Sequence, residues 1–221
     1  MPRLLELCAG TGSVGKPFKK LGWEVISLDF MPNFSPTIQA DLMTWDYKAA
    51  FPPGHFDVVW CSPPCTEYSV ALTTRKRDLD KADALVSKML VIMEYFQPKI
   101  WAFENPYTGL LKTRPIVKGL PYKTVCYCKY GFLYRKATAI WCSKSLENWH
   151  PRPMCTKSTP CESIVDGRHL KTAQRGPCKK GEKRIANDSF TQHQLYSMPS
   201  ALCEEFAHAC VRSMEEPTTG D

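Results

Sequence analysis

The sequence contains no apolar run long enough to cross a lipid bilayer. Its longest apolar stretch, near residues 85–96, is interrupted by Ser87, Lys88 and Glu94, whereas a membrane-spanning helix needs about 20 consecutive apolar residues. The chain also begins directly in a strand-like segment, Arg3–Leu7, so we expect no signal peptide before the fold. Both absences argue against membrane insertion and secretion, and we expect a soluble protein.

A second absence concerns the cysteines, which form no Cys-x-x-Cys pair in the segment of residues 143–190. The total of 11 cysteines is odd, and several lie inside predicted strands or helices, which favours reduced thiols over a disulfide scaffold. Within that segment, five, seven and eight residues separate Cys155, Cys161, His169 and Cys178. Zinc bound by these side chains would stabilise a segment with little apolar core, and unliganded thiols are the alternative.

The same segment differs from the rest of the chain in charge. Residues 143–190 carry ten Lys and Arg against five acids, in a chain of 221 residues with a net charge of +7. A basic surface favours a polyanionic partner such as nucleic acid. Because the segment has little periodicity and several Pro and Gly, it predicts a small, loop-rich appendage on one larger domain.

The glycine-rich stretch Cys8–Gly15 lacks the Lys-Ser/Thr pair that a phosphate-binding nucleotide loop needs. It follows a predicted strand and precedes a helix predicted from about Ser13 to Leu21, and the next strand ends at Asp29. This order of elements predicts a ligand-binding turn in an α/β sheet, with Asp29 accepting hydrogen bonds from ribose hydroxyls. Asp41 is a candidate for contacting an adenine amino group, with an ordinary exposed acid as the alternative.

A reactive thiol is predicted at Cys65. The run Asp57–Trp60 is typical of a buried parallel strand, and Pro63 and Pro64 end it because proline lacks the N–H that strand pairing needs. Cys65 therefore lies just past the carboxyl end of a strand, where open α/β sheets build their sites. This context favours a partly exposed, rigidly held thiol over a buried apolar cysteine.

A carboxylate and an amide follow another predicted strand, residues 99–103. Glu104 and Asn105 would then lie at the same edge of the sheet as Cys65 and form a convergent polar cluster. The helix before this strand, residues 80–96, has a single apolar face that belongs in the core. Further strands are predicted at residues 123–128 and 138–142, a last helix at 199–214, and a frayed tail at 215–221.

Together these stretches resemble the S-adenosylmethionine-dependent DNA cytosine-5 methyltransferases. Cys8–Gly15 resembles that family's first motif, Cys61–Ser69 its Pro-Pro-Cys motif, and Glu104-Asn105-Pro106 its Glu-Asn motif. The separation of 39 positions between Cys65 and Glu104 is also similar to the family's. Tyr196–Leu202 faintly resembles the final motif. The resemblance covers residues 3–142 and 190–214, and the layout is similar to compact phage and viral forms.

The resemblance implies an α/β, Rossmann-like methyltransferase fold, a mostly parallel sheet with helices on both faces. Residues 1–142 would form the catalytic domain, 143–190 a nucleic-acid recognition appendage, and 191–214 a helical segment returning to the catalytic domain. It also implies methyl transfer to carbon 5 of cytosine in DNA through a covalent adduct on a flipped-out base. We expect a monomer inside a bacterial or virus-infected cell, or in the nucleus.

The same resemblance implies roles for individual residues. The implied catalytic residues are Cys65, Glu104, Asn105 and Arg135. The implied substrate contacts are Ser69, Arg75, Arg77 and Pro106. The implied S-adenosylmethionine contacts are Cys8, Ala9, Gly10, Thr11, Gly12, Ser13, Gly15, Asp29, Phe30, Asp41, Leu42 and Pro64.

Departures from the family pattern leave alternatives open. The eighth motif keeps Arg135 but has Ala137 and Ala139 where arginines are usual, and Tyr196 replaces a cofactor-side asparagine. One alternative is an exocyclic-amine methyltransferase acting on cytosine N4 or adenine N6, because Ser62-Pro63-Pro64 also fits that class. The other is a non-catalytic nucleic-acid-binding module that keeps the cofactor fold. RNA also stays open as a substrate.

Overall fold

A seven-stranded sheet with the order β3-β2-β1-β4-β5-β7-β6 organises the protein. The computed structural model describes residues 1–165, 167–169 and 191–215. The five parallel strands are β1 (Arg3–Leu7), β2 (Glu24–Asp29), β3 (Ile38–Gln39), β4 (Val58–Cys61) and β5 (Ile100–Pro106). The antiparallel strands that complete the sheet are β6 (Tyr122–Cys126) and β7 (Ala137–Cys142). A separate two-stranded hairpin pairs β8 (Ile164–Val165) with β9 (Arg168–His169).

Helices pack on both faces of this sheet. They are α1 (Gly15–Lys20), α2 (Tyr47–Ala50), α3 (Leu79–Phe96), α4 (Gln192–Tyr196) and α5 (Ser200–Glu215). None of the helices in the described ranges has the length and apolarity of a bilayer-spanning segment. The predicted Rossmann-like fold, with a mostly parallel sheet and helices on both faces, is confirmed.

Side-chain alternation along the strands produces two separate cores. In β1, Leu4 packs into the cluster that contains Phe206 of α5, whereas Leu5 packs into the cluster that contains Met89 and Phe96 of α3. Successive residues of a strand point to opposite faces, so a strand covered on both sides must be apolar throughout. This explains the continuous apolar runs from which the central strands could be predicted.

Strand β5 is longer than predicted, and this changes the setting of the polar pair. The strand was expected to end at Phe103, but it continues to Pro106 because β7 pairs with it in the antiparallel sense, Asn105 facing Ala139. The last pair with the parallel neighbour β4 joins Cys61 and Phe103. Glu104 and Asn105 are therefore held inside a strand by β7 alone, and not in a loop.

Two other boundaries also differ from the predictions. Strand β6 was expected to reach Cys128 but ends at Cys126, and a 3₁₀ turn, Tyr127–Tyr130, follows it. Helix α1 was expected to begin near Ser13 but begins at Gly15. The left-handed backbone of Gly12, with φ of +62°, keeps the preceding turn out of the helix.

Candidate active site

Cys65 and Glu104 come from neighbouring strands of the sheet. Cys65 is half-buried, four residues past the end of β4, and Glu104 is 9% exposed in β5. Burial raises the pKa of the Cys65 thiol, and the Glu104 carboxylate raises it further, which opposes the effect of Lys136. The charge of Glu104 therefore reaches the Cys65 thiol, and the two groups predicted from separate motifs lie at the ends of neighbouring strands.

The surroundings of Glu104 favour the protonated form of its carboxyl. Burial raises the pKa of its carboxyl, against a lowering by the charge of Lys136. Among the described residues, no hydrogen-bond partner reaches its buried Oε2 atom. Native proteins rarely leave a buried polar atom unpaired, so an open partner position next to a reactive thiol fits a polar ligand atom. A carboxyl with a raised pKa can also keep the proton that it would donate.

Asn105 joins the two catalytic segments. Its side chain is fully buried, and its Nδ2 atom donates to the Pro63 carbonyl oxygen at 3.1 Å. On the other side of Cys65, the Tyr68 carbonyl accepts a hydrogen bond from the Leu110 N–H at 2.9 Å. The loop that carries the thiol is therefore attached at both ends to the segment that follows Glu104.

Lys136, which was not identified from the sequence, carries a charge that acts on both Cys65 and Glu104. It is partly buried, its Nζ atom lies 4.7 Å from the Tyr127 ring centroid, and its charge lowers the pKa of both Cys65 and Glu104. Arg135, the residue singled out from the eighth motif, is exposed, and its charge lowers the pKa of His169. The contact predicted between Arg135 and the target base stays a prediction.

The glycine turn has the open backbone that a cofactor requires. Gly10 and Gly12 have φ values of +50° and +62°, and a Cβ atom on either would meet nothing within 4 Å. Asp29 Oδ2 accepts from the Gly10 N–H at 2.8 Å, and each carboxylate oxygen retains capacity for a further hydrogen bond. Phe30, next along the chain, is 64% exposed and offers an apolar ring. These features fit a bound nucleoside with ribose hydroxyls.

The predicted cofactor residues divide into two groups. A cavity of about 180 Å³ runs along the turn and α1, and its lining includes Ala9, Gly10, Thr11, Gly12 and Gly15. Within the described part of the chain, the other predicted cofactor residues are not in that lining: Cys8, Ser13, Asp29, Phe30, Asp41, Leu42 and Pro64. Leu42 is only 3% exposed and belongs to the core, while the exposed Asp41 accepts the Met43 N–H at 2.9 Å. Cys8 is half-buried.

The segment before α5 lies against the glycine turn. Ser13 Oγ accepts a hydrogen bond from the Met198 N–H at 3.2 Å. Tyr196 is 48% exposed, and its ring lies 6.4 Å from that of Phe34, one of the residues lining the cavity. The carboxyl-terminal part of the chain is thus in contact with the cofactor side of the fold.

The predicted substrate-binding arginines contact the loop that carries the thiol. Arg77 donates through Nε and a guanidinium nitrogen to the Ser69 carbonyl, at 3.3 and 2.9 Å. Arg75 is exposed and forms an ion pair with Glu67, which lowers the pKa of that carboxyl to about 2. Pro106 is the last residue of β5. Both arginines therefore contact residues of the loop that follows Cys65, and their predicted contacts with substrate stay predictions.

Three of the four predicted metal ligands come together. A sulfur of Cys155, a sulfur of Cys161 and a ring nitrogen of His169 lie within 4.8 Å of one another, and Cys128 Sγ is part of the same cluster. The fourth predicted ligand, Cys178, lies outside the described residues. Cys128 was missed because it comes from the turn after β6, 27 positions before Cys155.

Comparison with known proteins identifies the family. The sequence model of the C-5 cytosine-specific DNA methylase family matches residues 3–115. A "Probable DNA (cytosine-5)-methyltransferase" of Frog virus 3 (isolate Goorha) is 30% identical over 94% of this chain and 100% of its own length. The chain belongs to this family. It is a DNA cytosine-5 methyltransferase and, like its family, depends on S-adenosylmethionine.

A solved methyltransferase structure agrees with the fold of this chain. The Entamoeba histolytica methyltransferase EhMeth aligns over 98% of this chain and 99% of its own, with a TM-score of 0.60 and 13% identity. A "putative DNA modification methyltransferase" encoded within an E. coli prophage aligns over 70% of this chain, with a TM-score of 0.49 and 16% identity. This chain spans about half, 52%, of that prophage protein.

Proposed function

We propose that Cys65 is the nucleophile of this cytosine-5 methyltransferase and that Glu104 is its proton-transfer group. The observation that supports the proposal is a half-buried thiol whose pKa is affected by the charge of a buried carboxyl, and the Oε2 atom of that carboxyl has no hydrogen-bond partner among the described residues. Carbon 5 of cytosine is a poor nucleophile, so the ring must first be made electron-rich. A thiolate that adds to carbon 6 does this by covalent catalysis.

In the proposed reaction, the Cys65 thiolate forms a bond to carbon 6 while Glu104 donates a proton to ring nitrogen 3. The electron pair of the carbon 5–carbon 6 double bond is then available at carbon 5. Bound S-adenosylmethionine supplies an electrophilic methyl group at that position. Carbon 5 takes the methyl group as its bond to the sulfonium sulfur breaks, and S-adenosylhomocysteine is the leaving group. A base then removes the carbon 5 proton, the bond between carbon 6 and Cys65 breaks, and the thiolate leaves as the proton on ring nitrogen 3 returns to Glu104. The target cytosine must first leave the DNA stack, at a cost of a few kcal/mol.

The residues around the two groups support this chemistry. An ordinary thiol is only a few per cent ionised at neutral pH, and the charge of Lys136 opposes the rise in pKa that burial imposes on Cys65. Asn105 holds the Pro63 carbonyl and thereby fixes the thiol loop relative to Glu104. The glycine turn, Asp29 and Phe30 would hold the cofactor, and Asp29 would accept hydrogen bonds from its ribose.

The proposal also includes the binding partner and the cellular location of the protein. The chain would act on DNA as a monomer inside the cell, with residues 143–190 in place of a large recognition domain. In the described part of that segment, Lys144, Arg152, Lys157 and Arg168 are all exposed, which supports contact with phosphates. Arg75, Arg77, Ser69 and Pro106 would line the path of the flipped base.

The test uses labelled S-adenosylmethionine, DNA and nucleoside analysis. We expect 5-methylcytosine from the unaltered protein and none from Cys65→Ala, with cofactor binding retained. Cys210→Ala, which removes a buried thiol of α5, is the matched control and should still transfer methyl groups. DNA that contains 5-fluorocytosine should trap a covalent complex, because carbon 5 then has no proton to lose. Full transfer by Cys65→Ala would refute the proposal, as would methylation at N4.

A further inference from the structure

A cluster of three thiols and an imidazole lies outside the methyl-transfer site. It contains the sulfurs of Cys128, Cys155 and Cys161 and a ring nitrogen of His169, all within 4.8 Å of one another. The Cys155 Sγ and His169 Nε2 atoms are 3.6 Å apart. In a tetrahedral zinc site, with Zn–S of about 2.3 Å and Zn–N of about 2.0 Å, neighbouring ligand atoms are about 3.5–3.8 Å apart.

We propose that Cys128, Cys155, Cys161 and His169 form a structural zinc site. This site would attach the basic segment, residues 143–190, to the catalytic domain, residues 1–142. Three thiolates and one imidazole are a ligand set that closes a structural zinc site, and they leave no position for substrate or water. The soft sulfur ligands also favour zinc over magnesium, calcium or manganese. This inference concerns the folding of the segment and does not depend on which residues carry out methyl transfer.

The local core shows why the segment needs such a site. The apolar cluster around it consists of Cys126, Cys128 and Cys155, with Met154, Cys161 and Ile164 packed against them. Four of these six side chains are thiols, so burial of larger apolar groups contributes little to holding residues 154–169 in place. Leu146 and Trp149 anchor only the start of the segment in the main core. Its regular structure in the described range is limited to a 3₁₀ turn and the two-residue strands β8 and β9. Binding of zinc by a preformed ligand set would supply the missing folding free energy.

The position of the ligands shows what zinc would connect. Cys128 lies in the 3₁₀ turn that follows β6, whereas the other three ligands lie in the segment after β7. Hydrogen bonds link the same two regions: Lys129 Nζ donates to the Pro160 carbonyl at 2.8 Å, and Ser163 Oγ to the Phe132 carbonyl at 3.2 Å. Seven residues separate Cys128 from Lys136, which directly precedes β7, so zinc would fix one end of the loop that carries Lys136.

The matched control for this site is Cys126. Its Sγ atom is 3.4 Å from Cys128 Sγ, and its side chain is fully buried, but it is not part of the four-ligand cluster. Cys126→Ser therefore makes the same chemical change as Cys128→Ser, in the same environment, without removing a proposed ligand. His169→Cys provides the reverse control, because a thiolate can replace the imidazole in a four-cysteine zinc site.

The experiment measures metal in the full chain purified without chelators. We expect about one zinc ion per chain, with X-ray absorption that fits three sulfurs at about 2.3 Å and one nitrogen at about 2.0 Å. Zinc should be lost from Cys128→Ser and His169→Ala and kept in Cys126→Ser and His169→Cys. Cobalt in place of zinc should give the visible spectrum of a tetrahedral thiolate site.

Three outcomes would overturn the inference. The first is the absence of bound metal from well-folded, unaltered protein. The second is a chain mass two hydrogens below that of the sequence, with a disulfide mapped to these cysteines. The third is zinc that the Cys128→Ser variant keeps and the Cys178→Ser variant loses. Cys178 would then be the fourth ligand in place of Cys128. Because the readout is metal content, a failure here is distinguishable from a failure of the proposed methyl-transfer roles.

Discussion

The Asn105 side chain donates a 3.1 Å hydrogen bond to the Pro63 carbonyl oxygen, so the strand that carries Glu104 is tied to the loop that carries Cys65. Both groups are buried, and the bond crosses between segments 42 positions apart in the sequence. The Asn105 amide therefore fixes the Cys65 loop relative to the strand that carries Glu104, and it can do so without contacting the substrate. Asn105 is accordingly interpreted as a positioning residue.

Asn105→Asp should lower kcat by about tenfold to a hundredfold, because an ionised carboxylate cannot donate to the Pro63 carbonyl and loss of a buried hydrogen bond costs about 1–3 kcal/mol. The KM for S-adenosylmethionine should change little, since the glycine turn lies on other strands. Steady-state kinetics and thermal unfolding of the same preparation would check this. An unchanged kcat in a folded variant would contradict the positioning role.

Lys136→Met should move the alkaline rise of the methylation rate to higher pH. Lys136 lowers the pKa of the Cys65 thiol, so its removal raises that pKa and reduces the thiolate fraction at neutral pH. Activity should fall at pH 7 and recover toward the original rate in alkaline buffer, whereas Lys136→Arg should keep the original profile. The measurement is kcat as a function of pH.

Arg135→Met is the matched comparison for Lys136→Met, because the two residues are adjacent and carry the same charge. The charge of Arg135 acts on His169, and it is not among the charges that shift the pKa of Cys65. Its removal should therefore leave the pH profile of kcat in place. If Arg135→Met moved the profile and Lys136→Met did not, the assignment of the active-site cation to Lys136 would be wrong.

The parallel half of the fold could be predicted from sequence because its signals are local. Strand β1 was predicted with both ends correct, and Asp29 and Cys65 were predicted at strand ends from the residues that immediately surround them. A buried parallel strand is an apolar run bounded by turn residues, and both features are visible within about ten positions. The prediction that Cys65 and Glu104 act together rests on two strands that end at one edge of the sheet, and β4 and β5 are neighbours there.

The antiparallel half could not be predicted in the same detail because its features depend on distant pairing. Strand β5 continues past Phe103 only because β7 pairs with it, and that pairing also places Lys136 near Cys65 and Glu104. Cys128 joins Cys155 through contacts across 27 positions, with no spacing motif to indicate them. Neither Lys136 nor Cys128 is marked by a pattern in the residues next to it in the sequence.

A buried carboxyl beneath the glycine turn links the stability of the fold to pH. Glu6, in β1, is 2% exposed and accepts hydrogen bonds from the Val14 and Gly15 N–H groups at 3.2 and 3.0 Å. Gly15 is required for this approach, because a Cβ atom there would lie 2.6 Å from Glu6 Oε2. Burial raises the pKa of Glu6 from 4.5 to about 7, against the lowering by these hydrogen bonds.

Glu6→Gln should therefore remove part of the pH dependence of stability. Since the folded pKa exceeds the unfolded one, the contribution of the protonated carboxyl is complete below about pH 4.5 and is lost as the pH rises through about 7. Between pH 4.5 and 8, the unaltered protein should lose about 3 kcal/mol of unfolding free energy relative to Glu6→Gln, in which this group does not titrate. Denaturant unfolding of both proteins across that range measures the difference. Parallel curves would mean that Glu6 ionises equally in the folded and unfolded states, and a difference of opposite sign would mean that the hydrogen bonds from the turn outweigh burial.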